Sequence, residues 1–366
     1  MRKFWLERGA SGSDALPRRC DVLVVGGGLA GVACARALAV GGASVALCEA
    51  SNRLGGGSIG RDPGLVQVGT SEHPHRLRAA IGDEDAAAYL ALSRRSASLL
   101  RDRVAVEEGL VRVGLGAEGD EIDESVAASN ALGLRSLRVD TELGPARRVE
   151  GDGLVDPVEV VETLAAEARA AGAALVTHAE VRHIAPGFEA RIGAMELRCE
   201  MVVFCAGAAT RELDSWFGDK LWPVRLETLA LSGTTWPIST QHGYLTWRPA
   251  PWGMLAGGAR WATPHMEVGE TSLEGSARVR ERLEDMTRKH LPDCGDVLGS
   301  QARIECFTCD NLPLVGPLPG RPRKLVCTGF GEHALSLAIG AAEALAEGIL
   351  TGTSTIPARL NPGRLV

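Results

Sequence analysis

Apolar residues along this chain follow two rhythms, and the alternation between them lays out most of its elements. Residues 21–25 (Asp-Val-Leu-Val-Val) are short, β-branched and closed by glycines, the pattern of a buried strand. Leu29 to Val40 predicts a helix of small residues stopped by Gly41 and Gly42, and residues 43–49 predict a second buried strand. Residues 50–75 read as a glycine-rich loop, and residues 83–108 place apolar side chains at helical spacing. Asp156-Pro157-Val158-Glu159 is a helix start, with an N-cap acid, proline at the first helical position and glutamate three beyond the cap. That helix is expected to run to about Ala171, where Gly172 ends it. Strands follow at residues 173–177 and 201–205, the second running into Ala206-Gly207-Ala208. Between residues 220 and 270 the helical period vanishes, and Trp222, Trp236, Trp247, Trp252 and Trp261 gather among prolines, which points to an antiparallel sheet in a different domain. A helix at 273–290, a strand at 324–328, the turn Gly329-Phe330-Gly331 and a small-residue helix at 335–350 complete the chain. Residues 1–20 are polar with Trp5 and Leu6 as isolated anchors, and residues 110–150 give no clear pattern.

A chain of 366 residues is long for one core, so the expectation is an α/β (α+β) protein of two interleaved domains. Hydrophobic residues at 45% and charged residues at 23% fit a globular protein in water. The net charge of −7 argues against nucleic acid as the main partner. Positive charge is almost all arginine, the lysines being Lys3, Lys220, Lys289 and Lys324. Nine cysteines, an odd number with several in apolar strands, suggest a reducing compartment and buried free thiols. No apolar run reads as long enough to span a membrane. Arg18-Arg19 precedes an apolar stretch, but Asp21 and the glycines at 26–28 break any export signal, so a cytoplasmic location is expected.

Gly26-Gly27-Gly28-Leu29-Ala30-Gly31 is G-x-G-x-x-G between a strand and a helix. Gly26 makes the tight turn, Gly28 lets backbone approach a pyrophosphate, and Gly31 lets helix and strand pack closely. The helix N-terminus adds free N–H groups and partial positive charge. Glu49 ends the next strand, where a carboxylate accepts hydrogen bonds from ribose hydroxyls and repels a 2′-phosphate. The site therefore reads as NAD or FAD rather than NADP, and the motif alone does not separate the two.

Four blocks carry a more specific resemblance. They are Val22 to Glu49 followed by Gly55-Gly-Gly-Ser-Ile-Gly-Arg-Asp-Pro-Gly64; Gly153-Leu-Val-Asp-Pro157 with Val202-Val-Phe-Cys-Ala-Gly-Ala208; Thr308-Cys-Asp-Asn-Leu-Pro-Leu-Val-Gly316; and Val326-Cys-Thr-Gly-Phe-Gly-Glu-His-Ala-Leu-Ser336. In this order they resemble the FAD-dependent oxidoreductases of the D-amino-acid oxidase superfamily, which includes glycine oxidase, sarcosine oxidases and γ-glutamylputrescine oxidase. The resemblance implies a Rossmann-like FAD-binding domain (1–80, 151–212 and 301–366) interleaved with an antiparallel-sheet substrate domain (81–150 and 213–300). It implies non-covalent FAD contacted by Gly26, Gly28, Leu29, Ala30, Gly31, Glu49, Ala50, Arg53, Gly57, Ser58, Ile59, Val181, Ala206, Gly207, Gly329, Phe330, Gly331, Glu332, His333 and Ala334. The implied activity is oxidation of the CH–NH bond of a small amine or amino acid, with hydride passing to flavin N5 and electrons passing on to oxygen or a carrier. Residues 49–58 also resemble the G-G doublet of the monoamine oxidase and phytoene desaturase families. A third reading is a flavin-binding subunit of a larger complex, and either a homo- or a hetero-oligomer is compatible with the chain.

One departure from the superfamily pattern bears on the substrate. Where many members place an arginine for the substrate carboxylate, three residues before the threonine of the third block, this chain has Glu305. A carboxylate there repels a carboxylate and attracts an ammonium; the competing reading is a solvent-facing strand residue. Arg303 lies on the same strand face, since side chains alternate with period two. Tyr244, Trp247 and Arg248 lie on the expected substrate sheet, with core packing the simpler account of most tryptophans. Sarcosine oxidases have a lysine that helps oxygen react, and Arg260 stands near the corresponding place. His333 either faces the flavin or is a helix-capping or core histidine. Arg260, His333, Glu305 and Tyr244 are thus the candidate catalytic residues. Cys306-Phe-Thr-Cys309 reads as two half-buried strand thiols, and His73-Pro-His75 as a loop near the site entrance without a carboxylate cluster beside it, so no metal is expected.

Overall fold

The computed structural model describes residues 13–185, 187–193 and 195–366. Trp5, Leu6 and the start of the expected 1–80 segment lie outside the described residues. Two eight-stranded sheets dominate. In the first, strands Arg321–Thr328, Met195–Phe204, Arg19–Val25, Val45–Cys48 and Ala174–Val176 run parallel side by side. The antiparallel strand Leu314–Leu318 edges it, and the hairpin Val181–Ile184 and Glu189–Ile192 branches from Met195–Phe204.

Period-two alternation explains the layers. Val22 and Val24 of the first strand face one buried cluster, and Leu23 and Val25 face another. The first cluster holds helices Leu29–Val40, Pro157–Ala170 and Ala334–Thr351, with Asp83–Arg101 packed outside the last. Pro157–Ala170 begins as its sequence dictates, the Asp156 side chain accepting from Val158 N–H and Glu159 N–H. Gly331–Thr351 is the one described helix with the length and apolar composition of a membrane span, contrary to the reading that no such run exists. It lies between Leu29–Val40 and Asp83–Arg101, with Leu335 to Ala342 all buried.

The second sheet runs Val297–Thr308, Leu221–Leu231, Gly253–Gly258, Leu245–Ala250, Ile238–Thr240, Val111–Val113, Gly144–Val149 and Ser136–Thr141. It is antiparallel except where Ile238–Thr240 meets Val111–Val113 in parallel, a pairing the antiparallel reading did not foresee. Strand Val297–Thr308 crosses the expected boundary at 300/301 and pairs with Leu221–Leu231 along its length. Helix Ala277–His290 covers one face, and Trp247 is fully buried beneath it, its indole N–H donating to Thr287 Oγ1 at 2.9 Å. The expected helix 83–108 stops at Arg101, because Glu107 is drawn into an extended bridge with Leu154.

Buried arginines join the second sheet to loops that belong to neither eight-stranded sheet. Arg112 makes a two-pronged pair with Asp152, Nε and Nη2 each at 2.8 Å, and also donates to the carbonyls of Val68 and Thr70. Arg248 Nη1 donates to Pro63 O at 2.6 Å and Val155 O at 3.1 Å. Both ends of the Arg112–Asp152 pair are sealed from water, at 6% and 1% side-chain exposure. Asp152→Ala leaves the guanidinium charged and unpaired, so it is expected to lower unfolding free energy by about 3–5 kcal/mol; urea unfolding followed by circular dichroism checks this, and a change below about 1 kcal/mol would contradict it.

Candidate functional site

A cleft of about 640 Å³ opens where the parallel strands of the first sheet end. The turn Gly26–Gly28 follows strand Arg19–Val25, Glu49 follows Val45–Cys48, Ala206 follows Met195–Phe204, and Gly329 follows Arg321–Thr328. Gly26 has φ +107°, and a Cβ there would stand 2.7 Å from Cys205 O. A Cβ on Gly31 would meet Gly26 O at 1.8 Å, so only glycine permits this approach of helix to turn. A Cβ on Gly28, Gly57 or Gly207 would touch nothing within 4 Å, since each faces open space. Helix Leu29–Val40 has neither a side-chain cap nor an acid in its first turn. Its free N–H groups therefore face the cleft, ready for an anion. Glu49 Oε2 accepts from Gly27 N–H at 2.7 Å and Oε1 from Ser51 N–H at 2.8 Å. These bonds fix the carboxylate and leave a lone pair on each oxygen for a further donor.

Gly26, Gly28, Leu29, Ala30, Glu49, Ala50, Gly57, Ser58, Ile59, Val181, Ala206, Gly207, Gly329, Phe330, Gly331 and Ala334 line this one cleft. Four expected cofactor contacts do not. Gly31 is spent on the contact with Gly26, Arg53 is not among the lining residues, Glu332 pairs with Arg303 Nη2 at 3.2 Å, and His333 turns toward Ser71, Oγ to Nε2 3.3 Å. Burial and the nearby Arg112 push His333 down to about 4, which keeps the imidazole neutral. It precedes helix Ala334–Thr351 without capping it by a side-chain bond.

Glu305 also lines the cleft and is buried, which removes the solvent-facing reading. Ser58 Oγ donates to its Oε1, and Arg303 Nε donates to the same oxygen at 3.0 Å. Arg303 thus stands on Glu305's face as the period requires, but it neutralises Glu305 rather than replacing it. Asp62 lies 3.9 Å from Arg303 Nε, so three carboxylates surround one guanidinium. Burial pushes Glu305 up to about 7, with Asp62 adding repulsion against the opposing pull of Arg303. Asp62 and Glu332 are raised too, chiefly by burial. The sequence reading missed Asp62 in this group, although the residue sits inside a quoted block; no spacing rule marks it.

Arg260 lies with its guanidinium carbon 4.9 Å from the Tyr244 ring centroid and 5.2 Å from that of Phe307. Among the described residues it has no ion-pair partner, and its Nε is buried without a hydrogen bond. Its charge reaches Glu332, and Phe307 packs on Gly331, so Arg260 stands beside the C-terminal glycine turn. Trp247 belongs to the core, not to an aromatic wall. Cys306 lines the cleft with its thiol pushed up to about 12 by burial, while Cys309 is exposed beyond the strand end, so the two are not equivalent strand thiols.

The reading of His73-Pro-His75 also needs correction. His73 precedes helix Pro74–Ile81, and carboxylates do converge there, Glu118 3.5 Å from His73 Nε2 and Glu121 3.0 Å from His75 Nε2. They arrive from the turn Gly116–Glu121, more than 40 positions away, beyond the reach of local spacing.

Residues 21–348 match the family described as DAO, FAD dependent oxidoreductase. The bifunctional protein MnmC of tRNA 5-methylaminomethyl-2-thiouridine biosynthesis, from Pseudomonas fluorescens, is 26% identical over 86% of this chain. The chain spans about half of that relative's length, 49%. Glycine oxidase from Geobacillus kaustophilus superposes with a TM-score of 0.78 at 21% identity, covering 96% of this chain and 100% of that one. L-proline dehydrogenase from P. horikoshii superposes with a TM-score of 0.80 at 18% identity, covering 96% and 98%.

The cleft fits FAD: the uncapped helix N-terminus and open glycine floor suit the pyrophosphate, and the free lone pairs of Glu49 suit ribose hydroxyls. Glu49→Gln removes a charge-assisted acceptor worth about 1.5–3 kcal/mol. FAD is then expected to bind about 10- to 100-fold more weakly in a titration of deflavinated protein followed by flavin fluorescence; unchanged affinity would remove Glu49 from the site.

Proposed function

This chain belongs to the DAO family of FAD dependent oxidoreductases, and we propose that it oxidises the CH–NH bond of a small amino acid or carboxylate-bearing amine. The observation that carries this reading is Arg260, a cation held against two aromatic rings beside the C-terminal glycine turn and, among the described residues, without an ion-pair partner. The Arg260 side chain is half-buried and its Nε lies out of water without a hydrogen bond, so a ligand that supplies a counter-ion is favoured. A substrate carboxylate does so, in the role that the residue at position 305 does not fill here.

FAD, when bound, supplies the acceptor for hydride and the store for its electrons. The rest falls to the chain. Tyr244 and Phe307 pack their rings against the Arg260 guanidinium. Glu305, poised near neutrality among Arg303, Asp62 and Ser58, takes the ammonium proton of the arriving substrate, leaving the neutral amine that hydride loss requires. The net charge of −7 supports a small molecule rather than a tRNA as substrate. The division into an FAD-binding part (1–80, 151–212, 301–366) and a substrate part, non-covalent FAD, and roles for Arg260, Glu305, Tyr244 and His333 belong to this proposal. The G-G doublet alternative is set aside, because the family match runs through all four blocks.

The basic test is anaerobic reduction of the flavin-loaded protein by a panel of amino acids and amines, followed by reoxidation with oxygen or a dye. If no member of the panel reduces the flavin, the proposal fails. Arg260→Met is expected to raise KM for the carboxylate substrate by about 10- to 100-fold, with a much smaller effect on its amide; equal effects on both would remove Arg260 from carboxylate binding. The proton-accepting form of Glu305 is the ionised one, so kcat/KM should rise with pH through about 7. Glu305→Gln should lower kcat/KM and abolish that limb, and a limb that survives the substitution assigns it elsewhere.

A further inference from the structure

The strongest unexplained feature away from the cleft is a convergence of imidazoles and carboxylates between residues 72–73, the turn Gly116–Glu121 and the turn at Gln241–His242. We propose that Glu72, His73 and His242 bind a divalent transition-metal ion of the Zn²⁺ type.

One ligand atom from each of these residues lies within 4.8 Å of the others. His242 Nδ1 is 2.9 Å from Glu72 Oε1, yet the contact lacks hydrogen-bond alignment. His73 is buried at 3% side-chain exposure, and neither ring nitrogen has a hydrogen-bond partner. A buried imidazole whose Nδ1 has no partner and whose Nε2 has only a carboxylate 3.5 Å away is poorly satisfied by the described residues. A metal ion satisfies one of these nitrogens. Two imidazoles and a carboxylate are a donor set suited to Zn²⁺, and imidazole equally suits its first-row neighbours.

The surroundings are built for such a role. Glu118 Oε1 lies 3.5 Å from His73 Nε2 and 3.8 Å from His242 Nδ1, which makes it the fourth group facing the ion. Its carboxylate is held by Gln241 N–H at 2.8 Å and His242 N–H at 2.9 Å. That anchoring of a ligand's neighbour is what an outer shell provides. Glu72 at 42% and His242 at 25% exposure open the site to solvent, so an ion has a way in. Fixed cations also stand near. Arg112 is matched by Asp152, Arg76 pairs with Glu121, and burial pushes Arg147 down to about 9. The ion would tie segment 70–75 to the turn at 241–242, and Ser71 in that segment contacts His333, the neighbour of cleft-lining Ala334.

The test uses flavin-loaded protein carrying Cys309→Ser, which removes the exposed thiol as a rival ligand. The protein is stripped with a chelator and titrated with Zn²⁺ against a chromophoric indicator. One equivalent should bind, and Co²⁺ in its place should give visible ligand-field bands. His73→Ala, His242→Gln and Glu72→Gln should each weaken binding, the histidine changes by about 100-fold. Glu72 and His242 are part-exposed, so their variants keep the test readable if His73→Ala does not fold. Zn²⁺ should raise Tm in the parent and not in these variants. No stoichiometric binding in the parent, or equal affinity in His242→Gln and Glu72→Gln, overturns the proposal.

Discussion

The meeting of the two sheets depends on buried guanidinium groups. Arg112, Arg147 and Arg248 all project from strands of the second sheet, and each donates to backbone carbonyls of loops that belong to neither sheet: Val68 and Thr70, Glu72, and Pro63 with Val155. A guanidinium suits this place because its planar fork serves several acceptors at once and stays charged when buried. A lysine has one point of charge and loses its proton more readily in such surroundings. The scarcity of lysine in the chain, which in the sequence looks like mere compositional bias, therefore coincides with a structural use of arginine at the seam between sheets. Without these groups the loop carbonyls would lie unsatisfied at the level of the cleft.

The same seam carries the chemistry. Arg303 gathers Asp62, Glu305 and Glu332, which come from a loop of the first half, a strand of the second sheet and the C-terminal turn. Arg260 stands beside that group and, among the described residues, has no ion-pair partner. An over-supplied cation and an under-supplied one, side by side, make an uneven field in a place of low dielectric. A molecule bearing both an ammonium and a carboxylate orients itself in such a field.

Much of the first sheet was legible because its strands are buried on both faces and read as continuous apolar runs. The strand Arg19–Val25, the helix Leu29–Val40 and the start of the helix at Pro157 emerged near their observed limits. The second sheet was legible only where tryptophans and prolines advertised it. Residues 110–150 were opaque for a specific reason. Strands Val111–Val113 and Gly144–Val149 carry Arg112 and Arg147 at buried positions, so charge appears where alternation leads one to expect apolar side chains. The cofactor cleft was readable because its glycines and Glu49 act through local spacing. The grouping around Arg303 and the one around His73 were not, because each draws on segments that only the tertiary fold brings together.

The walls of the cleft begin at Val25 and end at Ala334, and its last glycine turn follows strand Arg321–Thr328, whose neighbour is Met195–Phe204. Helix Leu29–Val40 in turn packs on Ala334–Thr351. During synthesis the first dinucleotide turn leaves the ribosome long before its opposite wall exists. Until then the early helix is covered only in part, by Pro157–Ala170, and such long-range closure is slow and open to aggregation. Closing the cleft therefore requires residues up to Ala334, and a chain halted before residue 321 would lack the Thr328 to Ala334 wall and the Ala334–Thr351 part of the cover on its first helix.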